Sequence, residues 1–365
     1  MILHITPDYT NKPLYQNLFN AIASQDFRRD MYVFVCDNKK HDGETWSDSV
    51  RVINRNFNIL ERLLFFPKQK YILKDIEHHI PLKEVKLIHA HTLFSSGYTA
   101  YQLYKKYGIP YVVAVRNTDV NIFFRHMLHL RKIGRDIAQH AQRIIFISPA
   151  YKNLVVGKYL PQNVANKSEV LPNGIDRLFV NNISQHEPNS DELKMIYIGR
   201  IERAKNIHTI IKVTDYLRQH NHSVKLCLVG DIVDELYKSM IDCRQDYIEW
   251  NAHCTKDKVL THLRQNDIFI MPSYTETFGL VYAEAMSQGL PVIYTAGQGF
   301  DGFFADGQVG YAVPVEDVEY IAHRVIDCYK HYQQISNACI EKIKIFNWQT
   351  IAKDYVTLYQ SIINN

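Results

Sequence analysis

Met271-Pro-Ser-Tyr-Thr-Glu-Thr-Phe-Gly-Leu-Val-Tyr-Ala-Glu-Ala-Met-Ser-Gln-Gly-Leu-Pro-Val-Ile293 is the stretch whose reading decides the fold. The apolar run Ile268–Met271 leads into it and reads as a buried strand, too short for a helix and bounded by Pro272. A polar loop carrying Glu276 follows, and the spacing predicts a helix from near Thr277–Gly279 to about Gln288. Gly289 suits the left-handed residue with which helices commonly end, and Pro291 opens the next strand, Val292–Tyr294. Strand, loop, helix and strand in this order build a parallel sheet with helices on its faces.

The same alternation extends in both directions. Short Val-, Ile- and Tyr-rich runs at Ile2–Ile5, Met31–Cys36, Leu87–Ala90, Tyr111–Val115 and Arg143–Ile147 predict one set of strands. Runs at Met195–Ile198, Lys225–Val229, Tyr247–Trp250, Ile268–Met271 and Val292–Tyr294 predict a second. Between the sets lies Val180–Glu192, polar, aperiodic and holding a Pro, which reads as a linker. A chain of 365 residues accommodates two domains of ordinary size. We therefore expect an α/β chain of two Rossmann-like, doubly wound domains, 1–180 and 181–347, facing a cleft. Trp348, Ile351, Tyr355, Leu358 and Ile362 recur at helical spacing, so residues 348–365 predict a helix crossing back to the first domain.

In such sheets ligands sit beyond the carboxyl ends of the strands. There, Thr277, Phe278, Gly279 and Leu280 open a helix whose free N–H groups and dipole suit a phosphate. The carboxylates of Glu276 and Glu284 suit sugar and ribose hydroxyls as hydrogen-bond acceptors. Met195-Ile-Tyr-Ile-Gly-Arg-Ile-Glu-Arg-Ala-Lys-Asn206 sets Arg200 and Lys205 after another strand, two cations able to stabilise a departing diphosphate without a metal.

Glu276 and Glu284, eight positions apart, with Phe278-Gly279 after the first and Gly289-Leu-Pro-Val292 beyond, resemble the signature of the group-one, retaining glycosyltransferases of the GT-B fold. The resemblance implies that Glu276 contacts the donor sugar, Glu284 the ribose, and Arg200 and Lys205 the diphosphate. The turn Asn173-Gly174-Ile175-Asp176 is similar to the family's pre-linker turn, which brings Asn173 to the donor side, and Leu228-Val-Gly230-Asp231 to its glycine turn. The family implies that Tyr247–His253 lies near the nucleotide base. Four departures stand out, of which three are these: Asn206 replaces the family's Gly after Lys205, Ile232 replaces a further Gly, and the N-terminal Gly-Gly loop is absent, with Thr6-Pro-Asp-Tyr-Thr-Asn-Lys-Pro13 in its place; the fourth and largest is at Arg116. Arg116-Asn117 stands where the family has His-Gly, while Asp119 is kept. Arg116 has two readings, holding the donor sugar or an anionic acceptor, or pairing with Asp119 to shape its loop. Asn117 and Asp119 are acceptor-side candidates. So is His91, in His89-Ala-His91, which either faces the cleft or is a satisfied structural histidine.

Charge is uneven. Residues 1–180 hold 25 Lys and Arg against 15 Asp and Glu, although the whole chain is only +4. This suits an anionic partner or reflects ordinary solvated faces. Arg62–Lys70 and Phe123–Arg135 mix bases with apolar residues, fitting either a helix resting on an anionic membrane or helices packed on a sheet. No nucleic-acid recognition motif is present. The six cysteines lack C-x-x-C or zinc-ligand spacing and read as reduced thiols. The start lacks a signal-peptide pattern, and no 18-residue apolar run spans a membrane. No Asp-x-Asp triplet occurs.

The family resemblance implies a transferase moving a sugar from a nucleotide-sugar to an acceptor, and by analogy with that family the donor is expected to be UDP-linked by preference and the acceptor a glycan or lipid-linked one in surface-polysaccharide biosynthesis. It is expected to be metal-independent, to use no cofactor and no nucleic acid, and to be cytoplasmic or peripheral on the inner membrane face. The alternatives are a non-catalytic nucleotide-sugar-binding subunit and a nucleotide-sugar epimerase of the same fold.

Overall fold

The computed structural model describes residues 1–7, 13–27, 31–35, 45–47, 50–54, 64–188 and 192–364. The chain divides into two compact units. The first comprises Met1–Ile147, Tyr151–Asn173 and Trp348–Asn365, and the second Ser148–Ala150 and Gly174–Asn347.

In the first unit β1 (Ile2–Thr6), β2 (Met31–Val35), β3 (Thr45–Ser47), β4 (Val50–Asn54), β5 (Leu87–Ala90), β6 (Tyr111–Val115), β7 (Arg143–Phe146) and β8 (Ser168–Val170) form one sheet. Its order is β3-β4-β2-β1-β5-β6-β7-β8, and only the β3–β4 pair is antiparallel. Both faces are buried, which is why its inner strands read as unbroken apolar runs. Leu3, Ile5, Ile88 and Val113 pack with Ile72, Leu103 and Ile137 on one face. Ile2, Leu87 and Val112 pack with Phe19, Ile351 and Tyr355 on the other. The helix Trp348–Ile363 supplies that second face, burying Trp348, Ile351, Tyr355, Leu358 and Tyr359.

The second unit holds β9 (Leu193–Ile198), β10 (Val224–Val229), β11 (Ile248–Asn251), β12 (Ile268–Met271), β13 (Val292–Thr295) and β14 (Gly310–Val313). All pairs are parallel, in the order β11-β10-β9-β12-β13-β14. Counted from β9 this is 3-2-1-4-5-6, the Rossmann order, which reverses direction between β9 and β12. That reversal opens a crevice at the carboxyl ends of these two strands, the position from which Arg200, Lys205 and Glu276 follow.

The division falls at Asn173–Gly174 rather than after residue 180. Ile175 N–H bonds to the Phe346 carbonyl (2.9 Å), and Asp176 pairs with Lys256 (2.5 Å) while capping the helix Arg177–Asn181, so this turn is tied to the second unit. Four strands escaped the sequence reading: β3, β4, β8 and β14. They are three to five residues long and lie at or next to sheet edges, where a short or polar run carries little apolar signal.

Candidate active site

The loop after β9 begins with Gly199 and Arg200 and tightens into a turn of 3₁₀ helix at Arg203–Lys205. Asn206 follows with φ +59, the left-handed conformation, and starts the helix Ile207–Gln219. Asn is one of the few non-glycine residues that adopts this conformation readily, so Asn206 preserves the turn where the resembled family has Gly. Its side chain adds what Gly lacks: Nδ2 donates to the Pro272 carbonyl (2.9 Å) and the Val315 carbonyl (2.5 Å). The β9 loop is thereby fastened to the β12 loop.

Across that fastening Lys205 Nζ meets Glu276 Oε2 at 2.7 Å, both side chains partly buried. Glu276 Oε1 accepts the N–H groups of Thr277 (3.0 Å) and Phe278 (3.4 Å). The main chain of Glu276 is held by Gln298 Oε1, which accepts its N–H (3.2 Å), and by Gly299 N–H, which donates to its carbonyl (2.8 Å). This corrects one expectation. Two of the N–H groups assigned to a phosphate are satisfied by the chain's own carboxylate, and the Phe278 ring is buried against Phe303 and Phe346. Gly279, at φ +78, caps the helix Leu280–Met286, and a Cβ there would lie 2.5 Å from the Tyr282 ring.

A cavity of about 320 Å³ opens at the ends of β9 and β10, lined by Gly199, Arg200, Gly230, His253, Lys256 and Glu284 among others. The Arg200 side chain is 69% exposed and meets Glu202 at 3.0 Å, free to swing toward an anion. Gly230 allows the β9 and β10 turns to touch, since a Cβ on it would sit 2.0 Å from the Gly199 carbonyl oxygen. Burial raises the Glu284 carboxyl to about 7, opposed by the nearby Lys256 charge and helped by Asp176. Lys256 was not singled out from sequence, although it lies only three residues beyond the Tyr247–His253 segment. A larger hollow of about 790 Å³, lined by Lys194, Lys225 and Tyr247, sits toward the amino ends of β9 and β10, the wrong end for this chemistry. Of the Tyr247–His253 segment, His253 reaches the smaller cavity, whereas the Tyr247 hydroxyl donates to Asp215 (2.7 Å).

Glu284 yields a pH prediction. Its raised pKa means the folded, ligand-free protein favours the neutral acid, so its stability contribution is present at low pH and lost as pH rises through about 7. The carboxylate is the better acceptor for ribose hydroxyls. Nucleotide affinity should therefore rise between pH 6 and pH 8, by up to about tenfold for one ionisation. Titration calorimetry across that range should show the slope in the native protein and its loss in Glu284→Gln.

The first unit carries the other candidates. Arg116 follows β6, its Nε donating to the His91 carbonyl (3.4 Å) and its Nη1 to Asn173 Oδ1 (3.3 Å). Its guanidinium does not bond Asp119. Instead the Asp119 carboxylate, 1% exposed, accepts the backbone N–H groups of Leu93 (3.0 Å), Phe94 (3.0 Å) and Arg116 (2.9 Å). Burial lifts its pKa to about 6 against the pull of those three donors. Asp119 thus joins the loops after β5 and β6 and is not open to an acceptor. His91 is likewise fully buried, its ring against His4 and His89, which sets aside the cleft-facing reading. Asn117 is exposed and bonds the Asn121 amide. The loop 8–12, where the family's Gly-Gly is missing, lies outside the described residues. The five described cysteines are free. Among the described residues no helix is long and apolar enough to cross a membrane.

Two doubly wound parallel-sheet units, with the second carrying a cation–carboxylate pair at its topological switch point, define a glycosyltransferase of the GT-B architecture. Sequence comparison agrees: residues 180–345 match the model for glycosyl transferases group 1, and residues 16–177 that for glycosyltransferase family 4. The chain belongs to the group 1 glycosyltransferases. It is 20% identical over 281 residues to an uncharacterized glycosyltransferase of Methanocaldococcus jannaschii, covering 76% of each chain. The structure resembles the lipopolysaccharide outer core galactosyltransferase WaaB (TM-score 0.77, 15% identity, 99% of each chain). It also resembles Anabaena HepE in complex with UDP (TM-score 0.72, 17% identity, 99% of each chain), a protein also solved with UDP-glucose. At these identities the structural likeness speaks for the fold alone.

Proposed function

We propose that this glycosyltransferase is a retaining enzyme that uses a UDP-sugar and acts on a glycan or lipid-linked acceptor in surface-polysaccharide assembly. The observation that carries this reading is the Lys205–Glu276 pair, with Arg200 on the same loop as Lys205 and Glu284 on the helix that follows Glu276. The diphosphate lies against Arg200 and Lys205, the ribose against Glu284, and the sugar against Glu276. The acceptor oxygen bonds to the anomeric carbon as the bond from that carbon to the phosphate oxygen breaks. The acceptor's proton passes to the departing phosphate on the same face, and the nucleoside diphosphate leaves. Arg200 and Lys205 stabilise the charge that develops, so no metal is needed at the diphosphate. Arg116 serves the donor sugar or an anionic acceptor, and Arg116→Ala is expected to lower turnover roughly tenfold or more, with the fold retained by circular dichroism. The binding of UDP and UDP-glucose by HepE and the role of WaaB in lipopolysaccharide support donor and pathway by analogy.

The acceptor's setting is the inner membrane surface. Leu64, Phe66, Ile122 and Leu128 are exposed, and the rings of Phe65 and Phe123 meet at 6.0 Å, bringing their two segments together. The bases Lys70, Lys74, Arg125 and Lys132 on these segments are exposed. Apolar side chains among bases suit insertion at an anionic interface. The protein should co-sediment with phosphatidylglycerol vesicles and not with neutral ones. Phe66→Ser with Leu128→Glu should weaken that binding on the order of tenfold; undiminished binding would move the contact elsewhere.

The reaction itself is tested by incubating the protein with UDP-sugars and candidate acceptors and reading the product's anomeric coupling by NMR. Retained configuration supports the proposal. Inversion, or isomerised sugar without transfer, overturns it.

A further inference from the structure

The first sheet has its own switch point between β1 and β5, and three histidines converge there. His4 on β1 is the register partner of His89 on β5, and His91 lies one residue past the end of β5, its N–H bonded to the Ile5 carbonyl (2.9 Å). All three side chains are fully buried. Each offers one ring nitrogen to a set lying within 4.8 Å of one another. His4 Nδ1 and His91 Nε2 are 3.0 Å apart, and the rings of His89 and His91 stack at 3.9 Å. Three further nitrogens, His4 Nε2, His89 Nε2 and His91 Nδ1, have no hydrogen-bond partner.

Hydrogen bonding alone does not satisfy this cluster. If His4 Nδ1–H donates to His91 Nε2, the proton on His91 Nδ1 faces no acceptor. If His91 Nε2–H donates instead, the proton on His4 Nε2 is stranded. Either tautomer leaves one buried donor unpaired, at a cost of about 1–3 kcal/mol, and ligation through His4 Nδ1 and His91 Nε2 leaves the outer N–H groups of both rings buried in the same way, so the case for an ion rests on the convergence of the three side chains. Protonating the rings is worse, since burial, mutual repulsion and Arg116 push His89 and His91 well below the usual histidine range. What the cluster does offer is lone pairs on neutral imidazoles.

We propose that His4, His89 and His91 bind one late first-row divalent metal ion, with zinc the fitting member of that class. A set of imidazole nitrogens without carboxylate suits zinc and its neighbours and not magnesium or calcium. Zn–N bonds of about 2.0–2.1 Å place ligand nitrogens about 3.3 Å apart in a tetrahedral site. The His4–His91 pair is close to that spacing, and His89 has only to draw in. His89 Nδ1 already bonds the Tyr359 hydroxyl (2.6 Å), the outer hydrogen bond that fixes a metal-bound histidine's orientation. The ion takes no part in sugar transfer. It joins β1, β5 and, through Tyr359, the terminal helix Trp348–Ile363.

The test is elemental analysis of the full chain, prepared without a histidine tag from zinc-supplemented medium, alongside His4→Gln, His89→Gln and Tyr359→Phe. The native protein should carry about one zinc per chain, and protein grown in cobalt should show visible d–d absorption. His4→Gln and His89→Gln should lose both signals. Tyr359→Phe, which keeps the ring in the core, should bind roughly 10–100-fold more weakly. Native protein with neither zinc above background nor a cobalt spectrum overturns the proposal and leaves a polar core cluster. Because that result is read on the native protein, it holds even where the histidine variants fail to fold. Both readouts are independent of glycosyl transfer, so failure here does not touch the function proposed above.

Discussion

Glu276→Ala is expected to lower kcat/KM with the nucleotide-sugar by roughly 10²–10³, the scale of losing one contact made in the transition state. In the free protein Glu276 does three things: it holds Lys205 at 2.7 Å, accepts the Thr277 and Phe278 N–H groups, and keeps a carboxylate partly open to the site. Losing these two hydrogen bonds within the loop costs stability on the order of 1–3 kcal/mol, too little to unfold the second unit. Losing the partner also frees Lys205 to collapse onto other acceptors. Glu276→Gln separates these effects, because a side-chain oxygen still accepts the N–H bonds while the charge is gone. The Gln variant should match the native melting temperature and stay nearly as inactive as the Ala variant. Initial rates with thermal melts decide it; a Gln variant of native activity would reduce Glu276 to a support of its own loop.

Gly230→Ala should have the largest structural effect. Gly230 has φ +145, and its Cβ would fall 2.0 Å from the Gly199 carbonyl oxygen and 2.7 Å from its carbonyl carbon, both backbone atoms that cannot rotate away. The β9 and β10 turns must separate, shifting Arg200 and opening the bond from Gly199 N–H to the Val229 carbonyl (2.9 Å). Destabilisation on the order of 3 kcal/mol or more is expected, lowering Tm by roughly 6–12 °C at about 2–4 °C per kcal/mol. Gly108→Ala is the comparison: φ is again positive (+71), but nothing lies within 4 Å, so only the backbone penalty of about 1 kcal/mol remains. Calorimetric melts that leave Gly230→Ala no worse than Gly108→Ala would contradict the close approach.

What the sequence disclosed follows from physical range. Buried central strands such as Leu87–Ala90, Tyr111–Val115 and Ile268–Met271 are legible to the residue, because burial on both faces demands a continuous apolar run. Edge strands β3 and β14 are not, since pairing on one side needs only a few compatible residues. The Glu276 loop and the Arg200–Lys205 loop each follow a strand end and were readable as site elements. Their 2.7 Å meeting was not, because it depends on β9 and β12 being neighbours in the sheet. The N–H groups of Thr277 and Phe278, just ahead of the helix Leu280–Met286, illustrate the converse: local reasoning offered them to a phosphate, while the nearest carboxylate in the chain takes both. His91 and Asp119 looked like acceptor-side groups from their positions past strand ends, and burial decides otherwise. His4 drew no attention at all, since only the β1–β5 register sets it opposite His89. Lys256 is a similar case, reaching the cavity from the first residue of a helix just beyond the Tyr247–His253 segment.

The central claim is that Arg200 and Lys205 bind the donor's diphosphate without a metal at that position. Titration calorimetry of UDP, in buffer containing EDTA, against the native protein and Lys205→Ala tests it most directly. The account predicts saturable one-to-one binding in the native protein, weakened about tenfold or more, or about 1.4 kcal/mol, in the variant. Binding that requires magnesium and is indifferent to Lys205→Ala, or no binding of any nucleoside diphosphate, would contradict it.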